Sequence, residues 1–274
     1  MTELLATQDD GTSVTALDEG SGPALLCVHP GSNDETSWDA VAPLLTGAFR
    51  VVRIRRRIYA PGAAIAPSHS MADEAADILA VARLLDGPVF LVGHSSGAVA
   101  ALEAALLSPS AFAGLFLYEP PIPTRTLLAG EAGARARAAL DAGDPAEAMR
   151  IHMRDIVGMP APEVDAMFDN AWVRAAFAVR APAQMADNTA IDALGVGIDR
   201  FRTLTLPTTL LEGDLSPAHL RERVADLAAT LPRTRIVQLA GQGHIAQLTA
   251  PDVLADAIRE AAVRTLGRPE RQVS

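Results

Sequence analysis

The chain has 274 residues, 49% of them hydrophobic and 20% charged, with a net charge of −10. That balance suits a soluble protein with a sizeable core, and the length fits one large α/β domain or two small ones. With no long basic tract the chain is a poor match for clustered phosphates, which argues against nucleic acid or an anionic membrane as partner.

The chain opens on MTELLATQDDG, which lacks the cationic and then apolar pattern of a secretion signal. No apolar run approaches the roughly 20 residues that span a bilayer. The expectation is a cytoplasmic protein. ELLATQ and SVTAL, joined by DDGT, form an opening hairpin, since Asp-Gly marks a tight turn. ALLCVHP is apolar on both faces, as a buried parallel strand must be. Its Cys27 is the single cysteine, a buried thiol that excludes a disulfide framework or a cysteine-based metal site within one chain. FRVVRIR follows as a strand and ADEAADILAVARLLD as an amphipathic helix. PVFLVGH and GLFLYE are further buried strands, separated by the helix SGAVAALEAALLS. Late in the chain LPTTLLEG and TRIVQLAG are strands flanking the helix PAHLRERVADLAATL, and PDVLADAIREAAVRTL closes the order as a helix with Pro251 at its start. The final RPERQVS reads as a frayed tail.

Alternating strands and helices predict an α/β fold, a doubly wound and mostly parallel sheet. Residues 122–200 break the alternation. They hold helical stretches such as ARARAALDAGDPAEAMRIHMRDIVG and no convincing strand. The expected organisation is a core of residues 1–121 and 201–274, with 122–200 as an inserted helical cap.

One segment resists regular structure. In LVGHSSGAVA a serine stands between glycines, after an apolar strand and before an alanine-rich helix. A serine hydroxyl is a weak nucleophile near neutral pH and needs a neighbouring base. In a nucleophile elbow Ser95 sits at the tip of a strained turn, Gly93 and Gly97 leave room for backbone, and the helix from Ser96 aims its amides at the site.

On these motifs the chain resembles an α/β-hydrolase with a helical cap over essentially its whole length. That resemblance implies an oxyanion loop after the third strand, where the family commonly has His-Gly-x and this chain has VHPGSNDETSW. Pro30 has no N–H to give, so the expected donors are the amides of Gly31, or of Ser32, and of Ser96, with His29 bracing the loop. The family's base follows the last strand, which here points to His244 in GQGHIAQL; His69, His152 and His219 are expected at the surface. The usual acid position, after the next-to-last strand, reads LLEGDLSP, and Asp214 there is out of phase. Haloalkane dehalogenases and some lactone hydrolases of the zearalenone-degrading type carry the acid after an earlier strand, and YEPPIP is similar to their pattern. Glu119 is therefore favoured as the acid, with Asp214 the alternative and a solvated hinge residue the bland reading of Glu119.

Arg53, Arg55, Arg56 and Arg57 form a charge run, expected to be solvated or internally paired. Among the apolar residues of the insertion, Met153, Trp172 and Met185, together with His94 of the elbow, are candidate pocket residues. The implied activity is hydrolysis of an ester or lactone of a mostly apolar small molecule by a Ser-His-Glu triad, with no metal or organic cofactor. Carbon–carbon bond hydrolysis, perhydrolase or lyase/cyclase chemistry on the same scaffold, and a non-catalytic ligand-binding homologue, are the alternatives. Nothing in the sequence sets the oligomeric state.

Overall fold

The computed structural model describes residues 1–8 and 10–267, so the RPERQVS tail lies outside the described residues. Eight strands form one sheet: β1 (Thr2–Thr7), β2 (Ser13–Gly20), β3 (Ala24–Val28), β4 (Arg50–Ile54), β5 (Val89–His94), β6 (Phe112–Tyr118), β7 (Thr208–Gly213) and β8 (Thr234–Leu239). Their spatial order is β1-β2-β4-β3-β5-β6-β7-β8. Only β1–β2 and β2–β4 are antiparallel; every later pairing is parallel. The expected doubly wound sheet is what the chain forms.

Every residue of β3 and β5 is buried, because helices cover both faces of the central sheet. Alternate residues of one strand enter different cores, as the two-residue period of a strand requires. Leu26, Leu91 and Leu117 pack beneath helices α2 (Met71–Ala82), α3 (Ser96–Leu107) and α8 (Ala218–Thr230). Leu25, Val92 and Phe116 pack beneath α1 (Ala42–Leu45) and α10 (Pro251–Leu266), and the short α9 (Ala246–Thr249) joins that side through Ala246. Helix α2 starts where it does because Ser70 and Asp73 form a capping box, each side chain accepting the other's backbone N–H.

Between β6 and β7 the chain leaves the sheet for α4 (Gly130–Asp141), α5 (Pro145–Ile151), α6 (Ala161–Asp169) and the 22-residue α7 (Ala171–Asp192). A π-helical turn, His152–Val157, continues α5 and ends at Gly158 in the left-handed region. These helices have a core of their own, in which Ala136, Met149, Val164, Phe168 and Met185 meet. Most of the methionines seen in the sequence are spent on this packing.

The strand order places the topological switch between β3 and β5, since the chain winds outward from β3 through β4 and then returns to the other side. In open α/β sheets the crevice beyond the C-terminal strand ends at such a point receives ligands. Ser95 directly follows β5 and His29 directly follows β3.

Helix α3 lies unusually close to the end of β3. A Cβ at Gly97 would run into the carbonyl oxygens of His29 and Val28, both backbone atoms. Gly97→Ala gains up to about 1 kcal/mol of helix propensity but forces α3 off the sheet, an overpacking cost of about 1–3 kcal/mol. Net destabilisation is expected, measured as a lower urea midpoint with unchanged m-value; an unchanged or higher midpoint would contradict this close packing.

Candidate active site

Ser95 has φ 53° and ψ −126°, a conformation that a non-glycine residue rarely adopts. The strain is held from three sides. Its N–H donates to Tyr118 O at 2.9 Å, its carbonyl accepts from Ala98 N at 2.8 Å, and Gly93 lets α3 approach, since a Cβ there would stand 2.6 Å from Ala98 Cα. Among the described residues, two other non-glycine residues have positive φ: Ser32 at 54° and Glu119 at 43°. All three are candidate site residues at the C-terminal ends of neighbouring strands. Strain of this kind persists only where the surroundings over-determine it, and it concentrates at functional sites.

Glu119 is fully buried. Its Oε1 accepts the N–H of Gly213, at the end of β7, at 2.7 Å, and its Oε2 lies 2.5 Å from His244 Nδ1. The bland reading of Glu119 as a solvated hinge residue is thereby corrected. With Nδ1–H donating to Glu119, Nε2 of His244 is the nitrogen left to accept a proton. Asp214 is exposed and accepts the N–H of Gly241 at 2.7 Å, so it braces the turn after β8 and makes no bond to His244.

The loop carrying His244 is clamped. Tyr118 donates its hydroxyl to Gly243 O and accepts from Ala246 N at 3.2 Å. His94 donates Nε2–H to His244 O at 2.9 Å and stacks on Tyr118, ring centroids 4.4 Å apart. The His94 and His244 rings are 4.9 Å apart, so the imidazole stands beside the residue that precedes Ser95. Burial above all, and then the charge that His244 can carry, hold His94 far below the usual histidine range and therefore neutral.

His29 uses both ring nitrogens. Nδ1–H donates to Pro30 O at 2.8 Å, and Nε2 accepts the N–H of Arg56 at 3.2 Å. Burial, reinforced by the Arg56 charge, pushes its pKa down to about 3, so it is a neutral brace. The Ser96 amide, at the first position of α3, lies outside the helix's own hydrogen-bond ladder. Gly31 and Ser32 follow the brace, and Ser32 Oγ donates to Gln184 Oε1 at 2.7 Å.

The arginine run is paired throughout. Arg53 meets Glu19 and Asp39, Arg55 meets Glu35, and Arg57 meets Asp77. Arg56, 1% exposed, joins Glu74 at 2.8 Å and Asp187 at 2.7 Å and donates to Ser96 Oγ at 2.7 Å. Arg53 is buried too, at 3% exposed, and nothing in RIRRR marks Arg56 as the member that reaches the elbow. Gln184 and Asp187 give no such signal either, since polar side chains spaced along a helix read as a solvated face, and Tyr118 reads only as the end of a buried strand.

Other expectations need correction. Trp172 is 78% exposed at the start of α7, its side chain in solvent. His94 is buried and serves the loop clamp, not a pocket wall. Met153 is half-buried in the insertion's own core. Met185 belongs to that core too and borders a cavity of about 400 Å³ between α4 and α7, shared with Gly133, Asn188 and Thr189. His152 is buried, not at the surface, because Nδ1 accepts from Asn188 Nδ2 at 3.1 Å. His69 and His219 are half-buried, the latter donating to Val157 O. Cys27 is buried, and desolvation raises its thiol pKa to about 12, which leaves it unreactive. Among the described residues there is no group of three or more His, Cys, Asp or Glu side chains able to hold a metal ion, and no helix is long and apolar enough to cross a membrane.

A serine on a strained strand-to-helix turn, at the switch point of a mostly parallel sheet, defines an α/β-hydrolase fold hydrolase. The chain belongs to the alpha/beta hydrolase family, whose model matches residues 25–257. It is similar to an alpha/beta hydrolase from Sphaerobacter thermophilus, at 26% identity and TM-score 0.82, over 94% of this chain and 99% of that one. A thermophilic esterase from Thermogutta terrifontis shares the fold at 23% identity and TM-score 0.72, covering 97% of this chain and 99% of the esterase. Over 100 residues the chain is 37% identical to a pimeloyl-[acyl-carrier protein] methyl ester esterase from Methylococcus capsulatus; the match spans 36% of this chain and 37% of that esterase.

A buried neutral histidine makes stability pH-dependent. Between pH 6.5, the ordinary histidine value, and about 3, the unfolded chain binds a proton at His29 that the folded chain refuses. The unfolding free energy therefore falls as pH drops through that window, by up to about 1.4 kcal/mol per pH unit for this one group. His29→Gln should flatten the acid limb of a plot of stability against pH, followed by urea denaturation; an unchanged slope would mean that His29 does titrate in the folded protein.

Proposed function

We propose that this chain is a serine hydrolase that cleaves an ester or lactone of a mostly apolar small molecule, with Ser95 as nucleophile, His244 as base and Glu119 as acid. The observation that carries the reading is the buried Glu119 carboxylate fixed between Gly213 N–H and His244 Nδ1. A carboxylate so placed selects the tautomer that presents Nε2 as base and stabilises the imidazolium when it forms. Ser95 attacks the carbonyl carbon as His244 takes the hydroxyl proton. The amides of Gly31 and Ser96 receive the oxyanion of the tetrahedral intermediate. The protonated His244 then donates to the leaving alkoxide, and the acyl group stays on Ser95. Water, deprotonated by the same imidazole, releases the carboxylic acid.

The helical insertion, in this reading, is the cap that selects the substrate, and its apolar side chains suit an acyl or alkyl group. The names of the Thermogutta and Methylococcus relatives, both esterases, favour ester cleavage over the other reactions of the scaffold.

The test is turnover of p-nitrophenyl butyrate. Ser95→Ala should abolish it, the triad as a unit supplying on the order of 10⁶-fold. Glu119→Gln should lower kcat by about 10²–10⁴-fold, because the histidine loses its orienting anion, whereas Asp214→Asn should stay near wild type. The reverse ranking would move the acid to Asp214, and ligand binding without turnover would make the chain a receptor.

A further inference from the structure

Helix α7 turns three polar side chains, Arg180, Gln184 and Asp187, towards the sheet, spaced by four and three residues so that they share one face. Each reaches the loop after β3 or the elbow. Arg180 Nη1 donates to Ser32 O at 2.6 Å and Nη2 to Asp34 Oδ2 at 2.9 Å. Gln184 Oε1 accepts from Ser32 Oγ at 2.7 Å and from Tyr59 OH at 3.2 Å, and Nε2 donates to Asn188 Oδ1. Asp187 accepts from Tyr59 OH at 2.8 Å and from Arg56 Nη2 at 2.7 Å, and Arg56 passes the connection to Ser96 Oγ. Gln184 also rests on Gly31, where an added Cβ would stand 2.5 Å from Oε1.

The chain of bonds runs from Ser32, the residue after Gly31, to Ser96, and Gly31 and Ser96 are the residues whose amides would receive the oxyanion. Ser32, Arg56, Ser96, Gln184 and Asp187 are all at most 6% exposed. Water cannot replace a bond broken there, and each orphaned group costs about 1–3 kcal/mol, so the network has one satisfied arrangement. Burial alone would raise the Asp187 carboxyl, but the Arg56 charge and the hydrogen bonds from Arg56, Ser96 and Tyr59 hold it below its ordinary value, an anion at neutral pH. Both of its oxygens are committed to this network. Ser32 keeps its unfavourable φ because α7 holds both its carbonyl and its hydroxyl.

We propose that Gln184 and Asp187 are positioning residues: they lock the amides of Gly31 and Ser96 at the spacing that receives the oxyanion, so the oxyanion site exists only while α7 is seated on the sheet. This rests on the reading of Ser95 as nucleophile. A substrate that fits between α7 and the sheet leaves the site intact, whereas one that displaces α7 is bound but turned over slowly. Substrate fit thus registers in kcat more than in KM.

The experiment compares Ser32→Ala, Gln184→Leu, the double variant and Tyr59→Phe in p-nitrophenyl butyrate hydrolysis and in inactivation by diethyl p-nitrophenyl phosphate, whose phosphoryl oxygen must enter the oxyanion site. Active-site titration corrects for unfolded protein. The expected result is a loss of about tenfold in kcat and in the inactivation rate, with KM nearly unchanged. The double variant should lose no more than the worse single one, because both cut the same link. If Gln184→Leu does not fold, Ser32→Ala and Tyr59→Phe decide. Folded variants that retain wild-type kcat and inactivation rate, or losses that multiply in the double variant, overturn the proposal. A wild-type chain that neither hydrolyses the ester nor becomes phosphorylated at Ser95 overturns the nucleophile assignment instead.

Discussion

The carboxylate of Glu119 is the joint on which the site is assembled. It lies at the end of β6, accepts a hydrogen bond from the Gly213 N–H at the end of β7, and meets the imidazole carried by the loop after β8. Three adjacent strand ends are thereby tied through one fully buried group. A carboxylate taken out of water is tolerable only when its lone pairs are occupied, and here each oxygen has a partner. Loss of either partner would leave a buried anion uncompensated, so the joint is structurally demanding as well as chemically useful.

Strain and restraint are distributed in the same way. Ser95, Glu119 and Ser32 each sit in a conformation that costs on the order of 1–3 kcal/mol for a non-glycine residue. Each is held by bonds from a different element: Ser95 through Tyr118 of β6, Glu119 through Leu211 of β7, and Ser32 through α7. The glycines nearby act by absence. Gly93 and Gly97 let α3 press onto the sheet, and Gly213 lets the backbone at Gln242 cross the end of β7. The scaffold concentrates its unfavourable geometry where the parallel sheet provides most neighbours to hold it.

The buried cluster of Arg56, Glu74 and Asp187 has a different logic. Buried ion pairs add little net stability, since desolvation offsets most of the attraction. Their effect is selective. A buried guanidinium with a partner at each of its three nitrogens restricts the placement of α7 relative to the elbow, and the amide of Gln184 repeats that constraint on the loop after β3. Hydrophobic contacts give α4 to α7 their cohesion and seat Ala190 and Ile191 of α7 in the main core, while this polar seam ties α7 to the elbow and to the loop after β3.

The sequence by itself determined the elements and the elbow. Apolar runs such as PVFLV and GLFLY, alternating with alanine-rich helices, can be buried only as the central strands of a covered parallel sheet, and GHSSG between strand and helix has a local cause in its glycines. These features depend on residues near one another in the chain, so periodicity and spacing reveal them. Tertiary structure decided which distant side chains meet. Glu119 and Asp214 were both plausible partners for an imidazole until the fold turned the first inward and tied the second to Gly241. Arg56 was one of four similar arginines, His152 looked like a surface residue, and Trp172 like a pocket wall. Their contrary fates follow from the packing of α7 against the sheet. Local pattern carries no information about such packing, because burial of a polar group depends on a partner outside its own element, 36 residues away for His152 and 131 for the Arg56–Asp187 pair.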